Sequence, residues 1–295
     1  IIVNDNPQRT LNRNLIEHYQ KLDERIIYIE NHVNIGLTKS LNLAITVAKG
    51  DYIARMDADD YSFPTRLEKQ ITFLSKNCDV IAVGTWVNFF GDTNKKNKEY
   101  RTNKQEVDDF LMVYTPIAHP TVMIRKEAFV EHGIKYNEDY RFAQDYELFY
   151  QLSKVGKLCN IPEILLNYRT TRVQVSKQNN LQQRNLAISL RKKIIYERIG
   201  IDLVSQLGIF ENNNTVKTFI KVKKYSHIVK KDQPVLYKSL QVLKYVLLMS
   251  PKRFSDRLLF FMLLIINPFQ KIGFSFRYYL KALSNQLFIH YKSML

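Results

Sequence analysis

Apolar and polar positions change period in blocks along the first half of the chain, and each change marks an element. Ile1-Ile2-Val3 is a β-branched run that stops at Asn4-Asp5-Asn6-Pro7, which predicts a buried strand running into a polar turn. Arg25–Glu30 predicts a second short strand. Leu37, Leu41, Ala44, Ile45 and Ala48 then fall on one helical face, and the pattern stops at Gly50. Asp51–Met56 predicts another strand, which empties into Asp57-Ala58-Asp59-Asp60. Pro64 opens a helix in which Leu67, Ile71 and Leu74 share a face. Val80–Phe90 and Pro120–Ile124 predict further strands, and Tyr146–Lys154 a helix. This alternation predicts an α/β domain with a mostly parallel sheet flanked by helices. Ligands gather at the carboxyl ends of strands in such sheets, where both acidic turns fall.

Beyond residue 180 the pattern changes to long helical stretches such as Leu181–Ile199 and Pro234–Leu248, rich in Lys, Arg, Tyr and Phe. The polar stretch Ser176–Asn180 marks the change, predicting a catalytic domain over 1–180 and a basic, mostly helical appendage over 181–295. The most apolar run, Leu258–Ile266, is nine residues long. A bilayer span needs roughly 20, so a peripheral segment is predicted.

Charge separates the same two parts. The chain carries a formal +16, yet 20 of its 44 basic and only five of its 28 acidic residues lie beyond position 180, leaving 1–180 near neutral. A near-neutral front part lacks the footprint of a phosphate-backbone binder. The 45% hydrophobic content, with nine Gly and eight Pro, supports a large core. Cys78 and Cys159 have neither metal-ligand spacing nor the density of a disulfide framework, and read as buried, reduced side chains. The chain opens at Ile1 inside a strand, without an initiator Met, which predicts an N-terminally incomplete domain.

Three carboxylates within four positions, Asp57, Asp59 and Asp60, are electrostatically costly at the end of an apolar strand unless a cation or solvent compensates them. A divalent metal bridging a nucleotide diphosphate removes that cost, since Mg²⁺ takes one or two carboxylates plus phosphate oxygens. The alternative is a solvated acidic turn capping the next helix. His119, a lone His before a Pro, reads as structural before it reads as an acceptor-site or metal-adjacent residue, and Trp86 with Phe89 and Phe90 as core before a sugar-stacking platform.

The surrounding residues narrow the choice. Asn34-Ile35-Gly36-Leu37, Leu41-Asn42, Ala48–Asp60, Pro64-Thr65-Arg66-Leu67 and Gln70 together resemble the donor-binding half of glycosyltransferase family 2. The similarity resumes at Ile117–Met123 and Gln144-Asp145-Tyr146-Glu147-Leu148, and closes with Asn160–Glu163 and Leu165–Arg169. The resemblance implies a GT-A type, Rossmann-like fold, a nucleotide-sugar donor, a divalent metal (Mg²⁺ or Mn²⁺) and inversion at the anomeric carbon. It places Asp5 at the base or ribose, Asn34, Gly36 and Lys39 around the nucleotide, Asp57 and Asp59 at ribose and metal, and Asp60 as a metal ligand shared with Asp59. Asp145 matches the family's catalytic base; as a plain residue it also reads as the N-cap of a helix starting at Tyr146. Asn4, Gln144 and Thr171 stand where the pattern usually has an acid, a Glu and a His, and the family's first strand and helix are missing.

The expected activity is transfer to a saccharide or lipid-linked saccharide in cell-surface glycan synthesis, with the basic tail on an anionic leaflet at the cytoplasmic face or, as the alternative, packed on the catalytic domain with a solvated basic face. No nucleic-acid partner is expected. The rival classes are a nucleotidyltransferase, which would share an acidic metal turn, and a basic nucleic-acid-binding protein. The first lacks a Gly-rich phosphate loop here, and the second lacks a basic recognition element in the best-defined domain.

Overall fold

The computed structural model describes residues 1–8, 13–92, 97–112, 114–171 and 180–199. In chain order the elements are β1 (Ile2–Asn4), α1 (Arg13–Leu22), β2 (Tyr28–Glu30), α2 (Leu37–Val47), β3 (Tyr52–Ala54) and β4 (Tyr61–Ser62). There follow α3 (Arg66–Lys76), β5 (Val80–Gly91), α4 (Lys104–Phe110), β6 (Met123–Arg125), α5 (Glu127–Val130), α6 (Gln144–Val155), β7 (Lys157–Thr170) and α7 (Asn180–Ile199). Single 3-10 turns lie at His119–Thr121 and Glu138–Tyr140. The chain divides into two compact units, Ile1–Ile194 and Ile195–Leu295. The first unit ends inside α7, in which Leu190 and Ile194 are fully buried. The expected helix Pro234–Leu248 and the apolar run Leu258–Ile266 lie outside the described residues.

The strands form a parallel pair, β1 on β2, and a five-stranded sheet in the order β3-β6-β5-β7-β4. Its backbone is the long parallel ladder of β5 on β7, from Val80 opposite Lys157 to Gly91 opposite Thr170. The α/β architecture matches the sequence reading, but the short strands β3, β4 and β6 pair antiparallel, so the larger sheet is mixed. Periodicity marks a strand without giving its direction, and three-residue strands carry little else. The ladder shifts register where Ile161 and Ile164 face consecutive residues Thr85 and Trp86. Pro162, which has no N–H to donate, sits in that irregularity.

Two elements differ from expectation for a common reason. In α3 the apolar face expected from Leu67, Ile71 and Leu74 is only partly buried: Leu67 and Ile71 are exposed, while Arg66, Gln70 and Leu74 point inward. The two polar side chains replace apolar ones because there are backbone carbonyls to satisfy. Arg66 donates from Nη1 to Pro120 O at 2.8 Å and from Nη2 to Arg55 O at 3.2 Å. Gln70 donates to Val83 O at 3.0 Å and Thr121 O at 2.8 Å. The expected strand Pro120–Ile124 is accordingly split into the 3-10 turn and β6, the turn being closed by Thr121 Oγ1 on Ala118 O at 2.8 Å. Gly84 lets the chain leading into this turn pass over β5, since a Cβ there would collide with Ile117 and Asn160 side chains. Cys159 is buried as expected, whereas Cys78 is exposed; both are free.

The 57–60 turn is tied to the far end of the ladder. Asp60 is 5% exposed, and its Oδ1 accepts from the Arg169 backbone N–H at 2.8 Å. Burial pushes the Asp60 carboxyl up to about 6, against the pull of that amide, and the charges of Asp57 and Asp59 add to the rise. A carboxyl raised in the folded state binds its proton more tightly there than in the unfolded chain. The contribution of Asp60 to stability is then fully present below about pH 4 and is lost as pH rises through about 6. Asp60→Asn keeps an oxygen for the Arg169 amide and removes the charge. With a chelator present, urea denaturation is expected to show the variant matching the wild type near pH 4 and exceeding it by on the order of 2 kcal/mol above pH 7. A variant less stable at every pH would show that the charge itself holds the turn.

Candidate active site

A cavity of about 820 Å³ opens in the first unit. Of the eight residues singled out from the sequence, seven line it: Asp5, Asn34, Gly36, Lys39, Asp57, Asp59 and Asp145. Asp60 does not, being turned toward β7 as described above.

The first wall is the loop between β2 and α2, and Asp5 builds it. One carboxylate oxygen accepts from Asn31 Nδ2 at 2.9 Å and the Ile35 N–H at 2.8 Å, and the other accepts from the Gly36 N–H at 2.8 Å. Asn34 closes the loop by donating to Asp5 O at 2.8 Å. Gly36 has φ +86° with nothing within 4 Å of where a Cβ would stand, so backbone conformation rather than space requires glycine there. At the rim, Lys39 pairs with Glu138 at 3.6 Å, both half exposed. Such a pair contributes only about 0–1 kcal/mol, so Lys39 can change partner at little cost.

The second wall follows β3. Arg55 is buried and pairs through Nη2 with Asp57 Oδ1, while its Nε and Nη1 find no partner among the described residues. Burial raises the Asp57 pKa, the Arg55 charge opposes the rise, and Asp59 adds to it. Asp59 is exposed, and its backbone oxygen accepts from Arg169 Nε at 2.8 Å. Behind them His119 Nε2 meets the Tyr136 hydroxyl at 2.8 Å. Burial holds His119 well below its ordinary pKa, and Arg55 adds to that, so the imidazole is neutral at pH 7. The structural reading of His119 is compatible with its place on the cavity wall. Asn42 clasps the Tyr136 backbone in both directions, each at 2.9 Å, which couples α2 to the segment leading into α6.

The third wall is Phe142-Ala143-Gln144-Asp145. Helix α6 begins at Gln144 with Ala143 in the capping position, so Asp145 lies in the first turn and is not the N-cap expected of it. Its Oδ1 accepts from the Tyr146 N–H at 2.8 Å. Burial raises the Asp145 pKa, with that amide, Arg55 and Lys98 opposing. Gln144 is 9% exposed, and its Oε1 is buried without a partner among the described residues; an unmet acceptor costs about 1–3 kcal/mol. Phe142 is the one non-glycine described residue with positive φ, at 77°. That conformation costs on the order of 1–3 kcal/mol and is kept only where surroundings impose it. Here Gln183 of α7 donates to Phe142 O at 2.9 Å, and Ala143 N donates to Tyr140 O at 2.8 Å.

Among the described residues no group of three His, Cys, Asp or Glu could hold a metal by itself. The donor set does suit a cation shared with a ligand: Asp57 and Asp59 line one cavity, and their mutual repulsion is met by a single guanidinium. Arg55, Phe142, Gln144 and Gln183 were not singled out from the sequence as site residues. Arg55 had a signal, standing two positions before Asp57 just past the end of β3, whereas Gln183 is brought to the cavity only by the packing of α7.

Comparison with known proteins agrees with this geometry. The glycosyl transferase family 2 model matches residues 1–133. An uncharacterized glycosyltransferase of Haemophilus influenzae is 31% identical over 266 residues, covering 83% of this chain and 81% of its own. The O-antigen biosynthesis glycosyltransferase WbnJ of Escherichia coli is 34% identical over 160 residues, covering 52% of this chain and 61% of its own. Among solved structures, S. aureus TarS 1–349 in complex with UDP-GlcNAc superposes with a TM-score of 0.53 at 12% identity, over 83% of this chain and 80% of that one. The fold is thus that of the GT-A glycosyltransferases, and the chain belongs to glycosyltransferase family 2.

Proposed function

We propose that this glycosyltransferase moves a sugar from a nucleoside-diphosphate sugar to a saccharide or lipid-linked saccharide, with metal dependence and inversion, in cell-surface glycan synthesis. The observation that carries the reading is the arrangement of acids: Asp57 and Asp59 on one wall of the cavity and Asp145 on another. The relative named for O-antigen biosynthesis supports the glycan context, and the UDP-GlcNAc complex of TarS is in keeping with a nucleotide-sugar donor.

The loop held by Asp5 offers Asn34, Gly36 and Lys39 to the nucleotide, and Lys39 exchanges Glu138 for a phosphate. Asp57 and Asp59 would hold a divalent cation, while Asp60 fixes the turn. When bound, the cation neutralises charge on the departing diphosphate. The acceptor hydroxyl oxygen bonds to the anomeric carbon as the bond from that carbon to the diphosphate oxygen breaks. Its proton passes to Asp145, whose burial lifts its basicity above that of an ordinary carboxylate. His119, neutral and paired with Tyr136, adds no positive charge that would compete with the cation.

Calorimetric titration of the chain with UDP and with GDP tests this. Affinity is expected to fall at least about tenfold when Mn²⁺ is chelated, because phosphates and the Asp57–Asp59 pair then repel. Asp59→Asn is expected to weaken nucleotide binding. Asp145→Asn is expected to leave it within about twofold while cutting transfer to membrane-extracted acceptor by about 10²–10⁴. Equal affinity with and without chelator would remove the metal from the site. Turnover retained in Asp145→Asn would remove the base.

We further propose that the protein sits peripherally on the cytoplasmic face of a membrane, on the strength of the basic excess beyond residue 180. No helix among the described residues is long and apolar enough to cross a bilayer. Each Lys or Arg near an acidic leaflet contributes roughly 1 kcal/mol. The chain is expected to co-sediment with phosphatidylserine vesicles, to bind phosphatidylcholine vesicles poorly, and to release as salt rises. Failure to bind either would leave the basic excess as a solvated surface.

A further inference from the structure

Phe142 combines three features that no step above uses. It lines the cavity three residues before Asp145, it is held at φ 77°, and its carbonyl is captured by Gln183 from α7. The turn leading to it is fixed by its own hydrogen bonds, with Asn137 Oδ1 accepting from the Asp139 N–H at 3.0 Å and Tyr140 N donating to Asn137 O at 3.2 Å. A phenylalanine has no side-chain polar group to favour the left-handed region, unlike Asn or Asp. If backbone conformation alone were required, Gly or Asn would serve better. What Phe supplies is a ring, half-buried on the cavity wall and flanked on one side by the Arg141 guanidinium at 5.1 Å from its centroid.

The same cavity holds an unmet acceptor two residues further on. Gln144 Oε1 is buried and unpartnered among the described residues, and Gln144 lines that cavity. An apolar ring and a hydrogen-bond acceptor on one cavity wall match a pyranose ring. One face of that ring presents C–H groups to an aromatic plane, while its rim presents hydroxyls. The position in the chain, just ahead of Asp145, associates this pair with the acceptor rather than with the nucleotide, whose loop is built by Asp5 and Asn34.

We propose that Phe142 and Gln144 form the acceptor subsite: the Phe142 ring stacks on the sugar that receives the glycosyl group, and Gln144 Oε1 accepts a hydrogen bond from one of its hydroxyls. Gln183 acts as a positioning residue that keeps the ring in place. This rests on the glycosyl-transfer reading of the cavity, and the test is arranged to separate the two.

The test uses the whole chain and three measurements: melting temperature, UDP and GDP affinity with Mn²⁺, and saturation-transfer NMR to a panel of methyl pyranosides with the nucleotide bound. Phe142→Gly and Phe142→Asn both tolerate positive φ, so melting is expected to stay level or rise. Nucleotide affinity is expected to stay within about twofold, while pyranoside affinity drops about tenfold, the size of losing one stacking ring. Phe142→Tyr is expected to keep binding. Gln144→Leu is expected to weaken pyranoside binding, and Gln144→Glu to retain it. Unchanged pyranoside affinity in both Phe142 variants overturns the subsite. So does a parallel loss of nucleotide affinity, which would assign the ring to the donor. Wild-type protein that binds nucleotide but no pyranoside overturns the subsite and leaves the donor reading standing. Absence of nucleotide binding overturns both.

Discussion

The buried guanidinium of Arg55 is the constraint around which the site is arranged. A charge removed from water is tolerated only where other charges and dipoles replace the solvent. Arg55 finds them in Asp57, its direct partner, and in the fields of Asp60 and Asp145, whose carboxyls it holds lower than burial alone would leave them. The same charge helps to keep His119 neutral and adds to the burial that brings Arg66 down to about 10. Lys39, Arg141 and Arg169 line the same cavity, so its wall carries charges of both signs.

Arg55 can hold that position because α3 grips the backbone around it. Arg66 caps the Arg55 and Pro120 carbonyls and Gln70 those of Val83 and Thr121, so the end of β3, the middle of β5 and the 3-10 turn bearing His119 are fastened to one helix. These are charged or amide donors to buried carbonyls, and losing one partner would leave the other unmet at about 1–3 kcal/mol. Packing and site electrostatics are therefore one structure: the helix that closes the core also places the charge.

The acids illustrate how chemically equal groups acquire different roles. Asp5 meets two backbone amides and a side-chain amide and becomes the keystone of the β2–α2 loop. Asp60 meets the Arg169 amide and becomes a tether between the acidic turn and β7. Asp57, Asp59 and Asp145 keep atoms on the cavity, and among them Asp57 and Asp145 are raised chiefly by burial.

The amino-acid sequence by itself determined the α/β class, most of the larger elements and the acidic turns at strand ends. Hydrophobic period and turn residues are local properties, and the family motifs fell on the cavity at seven of eight positions. What it could not determine were quantities set by partners distant along the chain. The antiparallel pairing of β3 with β6, β6 with β5 and β4 with β7, the inward turn of Arg66 and Gln70, and the start of α6 ahead of Asp145 all depend on which carbonyls and strands lie opposite. The withdrawal of Asp60 from the cavity depends on an amide 109 residues away, and the arrival of Gln183 at Phe142 on the packing of α7. Periodicity reports which face of an element is apolar. Only tertiary structure decides which polar atoms that face must satisfy, because a buried hydrogen bond is a relation between two segments and neither carries it alone.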